Sequence, residues 1–489
     1  MSNHRSLLQA LTFGQPVAEE ERDGLEQYFV HTSYWQELVA GDIDITYGVK
    51  GSGKSALYMA LLTATEVRDR GTLVVAGERP KGTPAFGDLG KGDALSEPEF
   101  EDLWRLYFLA LIADVLREQN AQGASARSII TKVETAGLIP YNRNLPGLLR
   151  RVRALVGRVR GVETGLGLDP ATGAPTSMTA KLALEDTPSL LIPAGESLQA
   201  MLEKADRALV ENALSVWIAL DRLDVAFSGA PILERNCLRA LLRVYLDCRN
   251  LEAADIKIFL RRDVMARLMQ GGFAEASHLI RTATIGWDPP STLVNLIATR
   301  VLSRPEIAAA LGVDPTKVLA DYGAQEDLLG RVLSTVDDVS GIDWVLDRCV
   351  NGSRTAMPRE VIQLLEAARR HEIQRLDLGH AGHPSGALLS PESLVEGLKH
   401  VSTARLVQTI YAENSKLQAY IQRLDSQAAE LTGRQLGLLW KTDADETDAL
   451  TTGIVDVGVF QRMPMIDGED RFLIPPLYRP ALNIREGRT

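Results

Sequence analysis

The chain has 489 residues, 45% of them hydrophobic and 24% charged, with a net charge of −11. That length exceeds one compact core and predicts roughly two to four domains of ordinary globular composition. No run of about 18 apolar residues marks a membrane-crossing helix, and the acidic balance argues against coating nucleic acid by charge alone.

The first residues, MSNHRSLLQALTFGQPVAEEERDG, join a brief apolar patch to a run of acids, unlike a signal peptide. Cys237, Cys248 and Cys349 show no CxxC spacing. They read as buried thiols of a reducing cytoplasm rather than metal ligands.

In chain order, β-type apolar runs occur at DIDIT (42–46), TLVVA (72–76), SVWIAL (215–220), IKIFL (256–260) and TATIGW (282–287). Helical periodicity separates them, the pattern of an α/β fold with a parallel sheet flanked by helices. The gap between the second and third runs is too long for one crossover. Residues 80–200 therefore read as a mainly helical insertion, with a helix near 99–119 and a hairpin within 161–186 around DPATGAPT.

The same insertion holds RNLPGLLRRVRALVGRVR (143–160), which carries Arg143, Arg150, Arg151, Arg153, Arg158 and Arg160 without an acid. A nucleic-acid contact, a solvated face and a surface matched to acids on a partner subunit are all open readings.

Residues 1–79 and 201–290 then form the two parts of the sheet domain. Helical segments at 292–303, 326–336, 342–350 and 358–372 suggest an all-α lid over 291–376. DLGHAGHPSGALL looks like a linker (377–390), and its His380 and His383 lack further ligands nearby. Ser390 and Pro391 open a helix expected to run to about 431, with a short one near 434–440. The end reads as two strands joined at Asp467-Gly468, so 391–489 has the plan of a winged-helix domain.

The chemistry concentrates at TYGVKGSGKSAL (46–57). Gly48, Gly53, Lys54 and Ser55 satisfy GxxxxGK[ST] between a strand and a helix. Across Gly48, Val49, Lys50, Gly51, Ser52, Gly53, Lys54, Ser55 and Ala56 the backbone N–H groups can converge on a phosphate, aided by the helix dipole. Lys54 would neutralise β/γ oxygens and Ser55 would ligate Mg²⁺.

SVWIALDRLD places Asp221 at a strand's C-terminal edge as the Mg²⁺-associated carboxylate, with Asp224 to orient or deprotonate water. Arg222 stands where a second acid would favour fast hydrolysis. IKIFLRRDV puts Arg261 and Arg262 at the next strand end, where one of them can reach a γ-phosphate or pair with Asp263. Arg281, before the fifth strand, is open to a role in a neighbouring protomer or to a structural one.

FVHTSYWQELVAG, GVKGSGKSAL, ALDRLD, FLRRDV and IGWDPPSTLVNLIATR together resemble the bacterial STAND-like P-loop ATPases, signal-transduction ATPases close in architecture to AAA+ and origin-recognition ATPases. Within them the chain is similar to a group whose loop reads GxKGSGKSAL and which often accompanies antiphage genes. The resemblance spans roughly residues 25–375, with 80–200 poorly matched.

It implies a five-stranded sheet ordered 5-1-4-3-2, a helical lid and a C-terminal winged helix. It also implies ATP–Mg²⁺ on Lys54, Ser55 and Asp221, with Arg261 or Arg262 as sensor 1. NGSRTAMPREVIQLL (351–365) resembles the lid motif, which makes Pro358 and Arg359 lid contacts and Arg359 a sensor 2 equivalent. Pro358 also fits a plain first-turn proline. Phe29, Thr32 and Trp35 would lie beside adenine, or simply anchor the segment.

The leading expectation is a slowly hydrolysing ATP switch that signals to a protein partner or a homo-oligomer, in a defence setting by the resemblance. A DNA-binding ATPase of origin-recognition or loader type is the second reading. Against it, MIDGEDRF at the expected wing carries three acids and one arginine. A scaffold that binds nucleotide without hydrolysing it is the third, because of Arg222.

Overall fold

A computed structural model of the chain describes residues 2–15, 21, 29–30, 32–77, 96–139, 197–223, 231–270, 272–382, 386–466 and 468–484. The arginine-rich 143–160, the hairpin expected within 161–186, His383 and Asp224 lie outside the described residues. Chain contacts divide the molecule into two units: His31–Lys50 with Lys54–Ile285, and Met1–Val30 with Gly51–Gly53 and Gly286–Thr489.

In the first unit the five apolar runs become β1 (Ile45–Gly48), β2 (Thr72–Ala76), β3 (Ser215–Leu220), β4 (Ala254–Arg261) and β5 (Thr282–Thr284). All pair in parallel, in the order β2-β3-β4-β1-β5, which is the expected 5-1-4-3-2 arrangement. β3 and β4 are buried along most of their length, so both faces are largely apolar rather than alternating, with Lys257 a buried exception.

β1 begins three positions later than DIDIT suggested, because Asp42–Asp44 form a lead-in whose last carboxylate is fully engaged. Asp44 accepts from Lys257 Nζ (2.7 Å) and Tyr245 Oη (2.9 Å), and Arg281 Nε lies 3.1 Å away. Lys257 is completely buried, with its ammonium 4.2 Å from the centre of the Trp217 ring and 3.2 Å from the Ile43 carbonyl. Such a cation is tolerated only because a carboxylate and several dipoles meet it. Arg281 is therefore tied to the lead-in of β1, at the strands' N-terminal edge. β5 is shorter than TATIGW, because the chain leaves the sheet ahead of Pro289 and Pro290, which have no N–H to donate.

Helices Glu97–Glu118, Leu198–Glu211 and Pro231–Cys248 share one apolar cluster with β3 and β4. The first belongs to the stretch read as an insertion, yet Phe100, Trp104, Tyr107 and Phe108 are all buried in it. Trp104 Nε1 donates to the Cys237 carbonyl at 3.0 Å and Tyr107 Oη to the Gly77 carbonyl at 2.5 Å. All three cysteines are buried and unbridged; burial pushes the Cys248 thiol up to about 12.

In the second unit one apolar cluster runs from Leu8 to Ile484. It takes in helices Ser291–Leu302, Tyr322–Val332, Gly341–Arg348, Pro358–Asp377 and Pro391–Arg405, so the segment expected to form a lid shares a single core with the C-terminal segment. Short helices at Pro305–Leu311 and Pro315–Leu319, each opened by its proline, went unread in the sequence.

The supposed linker is half structural. Leu388 and Leu389 are buried, and Ser334 N donates to the Leu389 carbonyl at 3.0 Å. The helix expected to reach residue 431 is instead broken. It is α-helical over Pro391–Arg405, π-helical over Leu406–Tyr411, interrupted at Asn414 (φ −130°, ψ 57°), and resumes over Ser415–Gln422. Gly397 lets the Pro391–Arg405 helix press onto the Pro358–Asp377 helix, since a methyl there would stand 2.5 Å from the Leu364 carbonyl.

β6 (Glu430–Thr432), β7 (Gln461–Ile466) and β8 (Glu469–Leu473) form an antiparallel sheet ordered β6-β8-β7. The β7–β8 hairpin sits where two strands were expected. Helices Gly433–Trp440 and Ala444–Asp456 precede it, the second of them not anticipated.

Glu372 is buried where the Pro358–Asp377 and Pro391–Arg405 helices meet. Its carboxylate accepts from Ser393 Oγ (2.6 Å), Ser390 N (3.1 Å) and Ser390 Oγ, with Arg375 at 3.2 Å. Burial raises its pKa, but these donors and Arg375 outweigh burial and hold it below the ordinary 4.5. A carboxyl depressed in the folded state stabilises above its unfolded value and loses that contribution as pH falls through the folded one. Glu372→Gln should therefore cost about 1–3 kcal/mol near neutrality, and the difference from the parent should shrink steadily below pH 4.5 in urea titrations. A deficit independent of pH would contradict this assignment.

Candidate phosphate-binding site

β1 ends at Gly48, which is in register with Arg261 at the end of β4. The chain then turns through residues 49–53 and enters the Lys54–Thr63 helix. Gly51 (φ +87°) and Gly53 (φ +96°) occupy the left-handed region, which is why glycine recurs at this spacing. Lys54 folds its side chain back over the turn and donates from Nζ to the carbonyls of Gly48 and Val49, both at 3.0 Å. A cation is thereby held against the loop whose amides and helix end are suited to an anion.

Ser55, on the first turn of the helix, donates its hydroxyl to Asp221 Oδ2 at 2.8 Å. Asp221 directly follows β3 and is 4% exposed. The sheet thus brings together a lysine, a hydroxyl and a buried carboxylate from two separated stretches of chain. A hydroxyl beside a carboxylate, next to a cradle of amides, is an oxygen donor set that fits Mg²⁺ bound with a phosphate ligand. Arg222, immediately beyond, has φ +57°, a left-handed conformation that turns the chain away from the strand.

The loop tip, Gly51–Gly53, groups with the second unit. Trp287 Nε1 donates to the Ser52 carbonyl at 2.9 Å, and its ring would be 3.7 Å from a methyl on Gly53. A methyl on Gly51 would stand 3.2 Å from Arg359 Cβ and 3.4 Å from Glu360 Oε2. Ser52 is 1% exposed, and its Oγ has no hydrogen-bond partner among the described residues. A buried hydroxyl left in that state at a phosphate loop is itself a sign of a polar ligand.

Arg359, picked out from the lid motif, therefore stands against the loop tip. Pro358 is buried as the first residue of its helix, the first-turn role that was the alternative reading. Arg261 pairs with Asp263 through Nε (2.9 Å) and a second nitrogen (3.0 Å), and Arg267 reaches the same carboxylate at 3.0 Å. Burial raises the Asp263 pKa, but both arginines outweigh it and the carboxyl stays below its ordinary value. Arg262 is exposed at the start of the following helix. Thr32 caps the Ser33–Ala40 helix, accepting from Trp35 N, while Trp35 is buried and Phe29 half-buried. Trp287 and Glu360 were missed as site residues. IGW after the fifth strand, and the acid beside Arg359, were the available signals.

A second concavity of about 650 Å³ lies between the Gly433–Trp440 and Ala444–Asp456 helices and β8. Its rim mixes Arg434 and Lys441 with Asp443, Asp448, Glu469 and Asp470. The arginines of the hairpin are paired: Arg462 lies 3.7 Å from both Asp448 and Asp470, and Arg471 contacts Glu430.

No family model and no curated protein matches the chain. Among solved structures, the Aeropyrum pernix ORC2 protein, determined as ADPNP–ADP complexes, aligns over 90% of this chain and 87% of its own, at 12% identity and a TM-score of 0.32. A likeness that weak has no bearing on function.

Gly51→Ala should destabilise the folded chain by more than about 1 kcal/mol, since it forces a side chain into the left-handed region and against Arg359. Chemical denaturation measures this; an unchanged midpoint would show that the loop does not hold the conformation described.

Proposed function

We propose that the chain binds ATP with Mg²⁺ at Gly48–Ala56 and acts as a slowly hydrolysing molecular switch. The observation that carries this reading is the 2.8 Å bond from Ser55 to buried Asp221, beside a glycine loop with Lys54 lodged over it. ATP would supply a transferable terminal phosphoryl group and Mg²⁺ the charge that offsets it. Loop amides and Lys54 would hold the phosphates, while Ser55 and Asp221 would share the metal. Arg261 or Arg262, from the end of β4, is the proposed reader of the terminal phosphate, and Arg359 a sensor 2 equivalent by the resemblance alone. Asp224 is the proposed residue that orients water, and Arg222 in place of a second acid is consistent with slow turnover.

The output would go to a protein partner or another copy of the chain through the insertion or the C-terminal segment, which we read as winged-helix-like. Pairing of Arg462 and Arg471 with acids favours a protein over duplex DNA as the ligand of that segment. The antiphage setting rests on the sequence resemblance alone.

Calorimetry with ATP and Mg²⁺ tests the reading. Lys54→Ala should weaken binding at least about tenfold, the loss of a charge-assisted contact. Asp221→Asn should remove the dependence on Mg²⁺. Asp224→Asn should keep ATP binding and abolish phosphate release. Full affinity in Lys54→Ala would overturn the assignment, and unchanged turnover in Asp224→Asn would remove that residue's role.

A further inference from the structure

Glu360 follows Arg359 on the Pro358–Asp377 helix and is 3% exposed. Its two carboxylate oxygens meet different surroundings. Oε1 lies 3.1 Å from Arg405 at the end of the Pro391–Arg405 helix. Oε2 has no hydrogen-bond partner among the described residues and is the atom that a methyl on Gly51 would approach to 3.4 Å. Arg405 is itself largely buried, close to Tyr478, and is followed directly by the π-helical turn Leu406–Tyr411. Widened turns of this kind mark places where a helix can change register locally.

A carboxylate at the tip of a phosphate loop is an unexpected choice. Its charge opposes that of any polyanion in the loop, and burial strengthens the repulsion because little water is present to screen it. Arg405 is the cation that offsets Glu360, and it comes from the C-terminal helices rather than from the loop's own neighbourhood. Whatever moves Arg405 therefore changes how strongly Glu360 disfavours a phosphate. By linkage, a phosphate in the loop must bias the position of Arg405 equally.

We propose that Glu360 and Arg405 form a coupling pair that makes nucleotide affinity depend on the arrangement of the C-terminal helices. The proposal rests on the ATP-binding reading and adds to it the route by which the loop's state reaches the C-terminal segment. Glu360 is a positioning residue in this account: it acts on the loop and on Arg405 without entering the chemistry.

The test is a double-mutant cycle in the full chain, with MgATP affinity measured by calorimetry and stability by thermal melting. Arg405→Met should weaken MgATP at least about tenfold, because a bare buried carboxylate then faces the loop. Glu360→Gln should bind as tightly as the parent or more tightly. In the Glu360→Gln background, Arg405→Met should change affinity by less than about threefold. A pair that merely holds helices together would lower the melting temperature of Arg405→Met and leave affinity unchanged, which would overturn the proposal. Equal weakening by Arg405→Met in both backgrounds would also overturn it.

Should Arg405→Met fail to fold, Arg405→Gln takes its place. It removes the charge but keeps a polar side chain, and affinity equal to the parent in both Glu360 backgrounds would then refute the coupling. A parent chain that binds no MgATP removes the proposed function and this inference together. Lys54-dependent binding with no response at Glu360 and Arg405 removes the inference alone.

Discussion

The hydrogen bond from Ser55 to Asp221 is the point where sheet order becomes chemistry. Ser55 lies just after β1 and Asp221 just after β3, more than 160 residues apart in sequence, with β4 paired between the two strands. They meet because a parallel sheet gathers the C-terminal ends of its strands at one edge, where open α/β folds hold ligands. A strand inserted between them would separate hydroxyl and carboxylate, and the Gly48–Ala56 loop would lose the Asp221 carboxylate that Ser55 donates to.

The opposite end of β1 is held by a different kind of interaction. Asp44 gathers Lys257, Tyr245 and Arg281 just before the strand begins. A buried ion pair of this sort adds little net stability compared with apolar packing. Removing one partner costs several kcal/mol, roughly 3–5, because the other charge is left stranded. A slip of β1 against β4 would do that to Lys257, so the pairing of Ile45 with Ile258 is selected against its alternatives. The loop at the far end inherits its position from that register.

In the second unit the same logic operates through Glu372 and Glu360, two buried carboxylates on one helix, each answered by a neighbouring helix. Ser390 and Ser393 satisfy the first through hydroxyls and a backbone amide. Arg405 meets the second as an ion pair at one oxygen, and the other oxygen lies toward the loop tip. One carboxylate is thus spent on holding helices together, while the other retains the capacity to respond. A core that continues unbroken from the helices of 291–376 into the C-terminal segment gives any such response somewhere to go.

Much of this was legible in the sequence. Strand positions, the glycine loop with Lys54 and Ser55, and Asp221 follow from local patterns: apolar runs, glycines at fixed spacing, and an acid at a strand end; the strand order came from the resemblance. Arg359 was named through the lid motif of the resemblance. Trp287, Glu360 and the π-helical break after Arg405 were not, because each is defined by a neighbour far along the chain. The linker at 377–389 was misjudged because Gly, His and Pro announce a turn, whereas Leu388 and Leu389 are claimed by a core that no local window reveals. The sequence by itself determined where the glycine loop, its lysine and its serine lie, since that pattern is carried by residue type and spacing within a dozen positions. Only the tertiary structure decided that Trp287 and Glu360 stand beside the loop tip, because those choices depend on packing between segments hundreds of residues apart.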